Sequence, residues 1–181
     1  MPQLIHLNGP AAVGKSTVAR MYTDHHPGVL NLDIDQVVSL IGGRRENFPA
    51  ILGAARALAV GMAETHLRGG YDVVMPQLVT NVEQASRFSA AASRAGGEYR
   101  EIVLLADKQR IVERFTGRWH PIDALFDHAE GERQVVKIHD DLTTYLNHRP
   151  DSVVIPTDGH SPADTYAAVV SSLCRTGPQP S

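Results

Sequence analysis

Residues 9–16 read Gly9-Pro10-Ala11-Ala12-Val13-Gly14-Lys15-Ser16, between an apolar run at residues 4–7 and an amphipathic stretch that opens at Lys15. Two glycines flanking four residues, followed by Lys and Ser, form a turn whose backbone N–H groups can wrap an anion. The helix after the turn points its positive end at the same place. Such a turn needs a strand ending at a sheet edge and a helix packing back on that sheet. It therefore commits the chain to an α/β layout.

The rest of the sequence repeats that layout. Apolar runs at residues 29–32, 73–75, 102–105 and 153–155 join the first at 4–7. Most are continuous rather than alternating, as expected of strands covered on both faces of a parallel sheet. Helical spacing is predicted over residues 15–25, 36–40, 48–67, 82–95, 108–116, 130–146 and 163–173. Gly69-Gly70 and Gly96-Gly97 end helices, Asn81 and Asp107 are suited to start them, and Ser161-Pro162 pairs a cap with a proline at the first helical position. The expectation is a three-layer α/β fold, a five-stranded parallel sheet with helices on both faces. Residues 1–176 read as one domain and 177–181 as a flexible tail.

At 181 residues with 43% hydrophobic content, one sizeable core is expected, and a net charge of −3 gives no reason to expect bulk nucleic-acid binding, though it leaves room for a local basic pocket. A single cysteine, Cys174, allows no intrachain disulfide and suits a reducing, cytoplasmic setting. No apolar run reaches the roughly 20 residues of a membrane span, and the first residues lack the pattern of a signal peptide. Oligomeric state is not legible.

The segment Gly9–Ser16 fits G-x-x-x-x-G-K-[ST]. Backbone groups of Gly9, Ala11, Ala12, Val13 and Gly14 would cradle the phosphates of ATP. Lys15 would reach the β- and γ-phosphates, Ser16 would ligate Mg²⁺, and Thr17 would add a phosphate contact. Asp33 and Asp35 follow the second strand. Read as an extended segment, they point the same way at the sheet edge that carries ligands. Asp35 is expected as the base that takes a proton from an acceptor hydroxyl, or as a cap on a helix beginning at Gln36; Asp33 is expected in the Mg²⁺ shell, or as a structural carboxylate. Arg110, Arg114 and Arg118 share a helix face. Arg114 and Arg118 are assigned to phosphoryl-charge stabilisation, while Arg110 reads as a solvated partner of Glu113. Gly117 and Pro121 bound a lid at about 117–129, in which Trp119 stacks on a ring or packs beneath. His120, His128 and His139 match no zinc spacing.

Met75-Pro76-Gln77 ends the third strand without the acid that many phosphate-loop proteins carry there. Gln77 reads as a substrate contact or a turn residue. Arg44 reads as an anion contact or, with Arg45, as part of a solvated turn. The loop with Thr157, Asp158 and Gly159 is placed to hold the adenine through backbone groups.

With these residues in view, the chain resembles the small P-loop kinases, the group of shikimate kinase, gluconate kinase, chloramphenicol phosphotransferase and the zeta-toxin kinases. The resemblance implies sheet order 2-3-1-4-5, ATP and Mg²⁺ as cofactors, and a lid after strand four. It puts the group's acid after strand two on Asp35 and its lid arginine on Arg114 or Arg118. Met75-Pro76-Gln77 stands where shikimate kinase has a glycine-rich substrate loop, which argues against shikimate. Two function classes follow: a phosphotransferase acting on a hydroxyl of a small molecule (antibiotic, sugar, nucleoside or related metabolite), or a nucleotide-hydrolysing regulatory protein without an acceptor.

Overall fold

Alternate residues of the first strand face opposite ways, and this divides the whole interior. In the computed structural model, which describes residues 1–43, 46–116 and 128–174, strand β1 spans Gln3–Asn8. Leu4 packs into one apolar cluster, and Ile5 and Leu7 pack into another. The chain continues with α1 (Lys15–His25), β2 (Leu30–Asn31), α2 (Ile34–Ser39), α3 (Phe48–Arg68), β3 (Val73–Pro76) and α4 (Val82–Arg94). It ends with β4 (Glu98–Leu105), α5 (Lys108–Thr116), α6 (His128–Leu146), β5 (Val153–Pro156) and α7 (Pro162–Cys174).

The five strands form one parallel sheet in the order β2-β3-β1-β4-β5. β1 is central, paired with β3 at Leu4↔Val73 and with β4 at Leu7↔Ile102. One cluster joins α2, α3 and α4 to the sheet through Leu32, Val37, Ala59, Leu67, Met75 and Phe88. The other joins α1, α5 and α7 through Val18, Tyr22, Leu104, Ile111 and Val169. On α3 the buried positions Ala55, Ala59, Ala63 and Leu67 recur every fourth residue, so three methyl side chains let this helix lie close.

Two elements depart from the sequence expectation. β4 begins at Glu98 rather than residue 102, because Tyr99 and Glu101 turn inward into a polar network that hydropathy does not reveal. β2 is two residues long, and α2 starts at Ile34 rather than at Gln36. Among the described residues, no helix is long and apolar enough to cross a membrane.

Candidate nucleotide and acceptor site

The turn after β1 carries its strain at specific residues. Gly9 has φ +145°, and a Cβ there would lie 2.4 Å from the Leu104 carbonyl oxygen, so only glycine fits between β1 and β4. Ala12 holds a left-handed φ of 61°, unusual for a residue with a Cβ, and Gly14 caps α1 with φ 105°. Val13 buries its side chain in the core, and Gly9 and Pro10 before it are buried as well. Ala11 is exposed and Ala12 half-buried, and Ser16 and Thr17 are exposed at the head of α1.

Lys15 lies back along the turn and donates to the carbonyls of Gly9 at 2.8 Å and Pro10 at 2.7 Å. Burial lowers its pKa to about 8, against the pull of the Asp35 and Asp33 charges. These two carboxylates thus lie within electrostatic reach of the lysine. Their arrangement corrects the sequence expectation. They are not successive members of a strand: Asp33 is the cap of α2, its Oδ1 accepting from the Asp35 N–H at 3.0 Å, and Asp35 lies in the first helical turn. The capping role expected of Asp35 belongs to Asp33. Desolvation and the Asp33 charge push the Asp35 carboxyl above its ordinary value, while Lys15 and Arg56 pull it back.

Arg56 is a residue the sequence reading missed. It projects from α3, half-buried, beside Asp35. With the Gln84 amide turned so that its oxygen faces the guanidinium, that oxygen accepts from Arg56 Nε at 2.6 Å. A cavity of about 280 Å³ between α3 and α4 is lined by Arg56, Val60, Asn81, Gln84 and Phe88 among others. A signal was present: Arg56 is the sole charge between Phe48 and Ala63.

A second cavity, of about 220 Å³, brings Ala12, Val13, Gly14 and Thr17 together with Arg114, Thr157, His160 and Pro162. Arg114 crosses from α5 to donate to Thr157 Oγ1 at 3.2 Å and to the Thr157 carbonyl at 3.1 Å. Thr157 is buried. Asp158 accepts from the Asp107 N–H at 2.7 Å, tying the β5–α7 loop to the β4–α5 loop, and Gly159 turns with φ 73°. Arg110 pairs with Glu113 at 3.2 Å on the outer face of α5, as its spacing implied. Gln77 follows β3; its N–H donates to the Leu7 carbonyl at 3.1 Å, and its side-chain amide contacts the Leu78 carbonyl at 3.3 Å. Arg44, Arg45, Arg118, Trp119 and His120 lie outside the described residues, as do the tail 177–181 and all of the 117–129 segment except the start of α6.

These features suit ATP. The turn offers backbone donors at the head of an eleven-residue helix, with a lysine in place and a cavity beyond it. They also suit Mg²⁺, which takes one or two oxygen ligands from protein and the rest from phosphate and water. Ser16 and Asp33 are the candidates, Asp33 having one carboxylate oxygen beyond its cap bond.

A parallel sheet ordered 2-3-1-4-5 with this turn after its central strand defines a P-loop protein of the small-kinase fold. The chain belongs to an AAA-domain family, whose profile matches residues 4–137. Among solved structures it is similar to a tunicamycin resistance protein from Deinococcus radiodurans (14% identity, 99% of this chain and 100% of that one, TM-score 0.63). It is similar also to a candidate kinase from Chloroflexus aurantiacus (17%, 97% and 98%, TM-score 0.67) and to a gluconokinase from Sinorhizobium meliloti (14%, 96% and 93%, TM-score 0.65). At these identities the likeness is one of fold. No curated protein matches the sequence.

Proposed function

We propose that the protein is an ATP-dependent phosphotransferase that moves the γ-phosphoryl group to a hydroxyl of a small molecule. One juxtaposition carries this reading: a phosphate-loop lysine and a helix-borne carboxylate, Lys15 and Asp35, lie within electrostatic reach of each other. The loop and Lys15 hold the triphosphate, Ser16 and Asp33 hold Mg²⁺, and the Arg114–Thr157 side of the smaller cavity takes the nucleoside. Bound Mg²⁺ neutralises phosphate charge. The acceptor occupies the α3–α4 cavity with its hydroxyl toward Asp35. The acceptor oxygen bonds to the γ-phosphorus as the bond to the β–γ bridging oxygen breaks; ADP leaves, and the hydroxyl proton passes to the Asp35 carboxylate. The kinase and the gluconokinase among the structural relatives support the class and leave the acceptor open.

The test is ADP release from Mg-ATP across a panel of sugars, sugar acids, nucleosides and antibiotics, with mass spectrometry for the phosphorylated product. Acceptor-dependent turnover is expected. Asp35→Asn should lower it by about 10²–10⁴-fold, the usual range for a general base, with ATP affinity retained. Slow hydrolysis indifferent to every acceptor, or near-normal transfer by Asp35→Asn, overturns the reading or its base respectively.

A further inference from the structure

The central strand carries two polar side chains, His6 and Asn8, that hydropathy marks as misplaced and that are fully buried. Both face the α2–α4 side of the sheet, as strand alternation requires. Asn8 uses its whole amide. Its Oδ1 accepts from the Gly9 N–H at 2.8 Å and from the Val79 N–H at 2.9 Å. Its Nδ2 donates to the Val79 carbonyl at 2.8 Å and to Glu101 Oε1 at 3.0 Å. One side chain thus grips both backbone groups of Val79 and the first residue of the phosphate loop, whose carbonyl in turn receives Lys15.

Glu101 reinforces the way round that amide sits, which the Gly9 and Val79 backbone groups also favour. It accepts from Tyr145 at 2.7 Å, Arg149 at 3.0 Å and Ser152 at 2.7 Å as well as from Asn8. A carboxylate held by so many donors can only accept, so it faces the Nδ2 end of Asn8. His6 completes the arrangement, its Nε2 bonded to the Gln77 carbonyl at 2.8 Å and its Nδ1 to the Tyr99 hydroxyl at 2.7 Å. Residues 77–79 lead directly into Asn81 and α4, which supply Asn81, Gln84 and Phe88 to the larger cavity.

We propose that Asn8, oriented in part by Glu101, is a positioning residue for phosphoryl transfer: it fixes the distance between the phosphate loop and the segment that carries the acceptor wall. The proposal rests on the phosphotransferase reading above. Transfer demands near-contact between attacking oxygen and phosphorus, and a displacement of about 1 Å costs on the order of 10²-fold in rate.

Asn8→Asp isolates the effect. A carboxylate still accepts from Gly9 and Val79, so the phosphate loop keeps its hold. Its second oxygen meets the Val79 carbonyl and Glu101 and is repelled by both until it gains a proton. The other ionisable groups around it are His6 and Tyr99 on the sheet, Lys15 from α1, and Tyr145 and Arg149 from α6 and the turn after it. ADP release from Mg-ATP is measured with the acceptor that gives turnover in the panel above, and with water alone as a control, beside Mg-ATP affinity by calorimetry, each variant against wild type at the same pH. At pH 8 Asn8→Asp should lose about ten- to a hundredfold in turnover with affinity changed less than about threefold. The deficit should shrink toward pH 5.5, and adding Glu101→Gln should restore much of the turnover at pH 8 by supplying a donor. Wild-type turnover in Asn8→Asp at pH 8 overturns the proposal, as does a deficit that neither acid nor Glu101→Gln relieves. If Asn8→Asp does not fold at pH 8, Asn8→Ser, uncharged and too short to bridge Val79 and Glu101 as the amide does, replaces it: retained turnover overturns the proposal, and lost turnover at retained affinity supports it. A wild-type protein that neither binds nor turns over Mg-ATP instead removes the phosphotransferase reading itself.

Discussion

His6 shows how one buried ring sets a pH limit. The Gln77 carbonyl can only accept, so His6 Nε2 carries the hydrogen and Nδ1 accepts from the Tyr99 hydroxyl. Burial lowers its pKa below 6.5 despite the Glu101 carboxylate 3.6 Å away, and it is this that keeps the ring neutral, with Nδ1 as the acceptor. For Glu101, burial alone would raise the carboxyl, but the His6 ring, Ser152, Tyr145 and Asn8 together hold it below its ordinary value. Both groups bind protons less readily folded than unfolded. Stability should be fully present above about pH 6.5 and decline as pH falls, first through His6 and then, below about pH 4.5, through Glu101. One proton allows a slope of at most about 1.4 kcal/mol per pH unit. Urea unfolding of His6→Gln should show a flatter profile between pH 6.5 and 5 than wild type; an unchanged slope would assign the acid sensitivity to another group. Gly9 offers a second check at this scale. Gly9→Ala would meet the Leu104 carbonyl and strain φ, and should lower stability by roughly 1–3 kcal/mol or more, read by the same unfolding assay.

At the scale of elements, legibility followed apolar content. α1 and α5 have the ends that their sequences announce, and the strands at residues 73 and 153 begin where the apolar runs begin. β4 was read four residues short because a strand that turns Tyr99 and Glu101 inward looks, in sequence, like one that faces water. α2 starts earlier than its sequence suggests because the caps compete: Asp33 and Asp35 are both suited to open a helix, and the choice falls to Asp33 since Ile34, Val37 and Val38 must all reach the core. The turn that the motif describes was legible, with positive φ at Gly9 and Gly14, whereas Arg56 and the Asn8–Glu101 contact depend on α3 and β4 being brought alongside distant elements, which no local pattern encodes. The corrected cap has a measurable consequence. Asp33→Ala should cost about 1 kcal/mol, the typical worth of an N-cap, and Asp33→Asn nearly nothing. If Asp33 also serves Mg²⁺, Asp33→Asn should raise the Mg²⁺ concentration needed for turnover while its urea midpoint stays put. Equal destabilisation by Ala and Asn would remove the cap assignment.

At the scale of the molecule, the cavity at the phosphate loop is built from elements that are far apart in the chain. The turn after β1, α5 through Arg114, and the β5–α7 loop through Thr157 and Pro162 all line it. Arg114 already bridges two of them. A ligand there contacts groups that separate on unfolding, so it binds the folded chain alone and stabilises it by mass action. At a free concentration one hundred times its dissociation constant, Mg-ATP should add about 2.7 kcal/mol. For a chain of this length each kcal/mol moves the midpoint by about 2–4 °C, giving an expected rise of about 5–10 °C if unfolding is two-state. Lys15 separates this gain from non-specific effects of salt or phosphate. In Lys15→Ala the ammonium is gone, although the cavity walls at Arg114 and Thr157 remain, so the rise with Mg-ATP should fall well below that of wild type at the same concentrations. ATP with Mg²⁺ chelated should stabilise wild type less than Mg-ATP does, because the phosphate charges then meet only the loop, Lys15 and Arg114. Scanning calorimetry of both proteins with ATP, Mg-ATP and Mg²⁺ alone reads all of this. Equal shifts in wild type and Lys15→Ala would mean that the nucleotide binds elsewhere, and an equal shift from Mg²⁺ alone would mean that the metal needs no phosphate to bind.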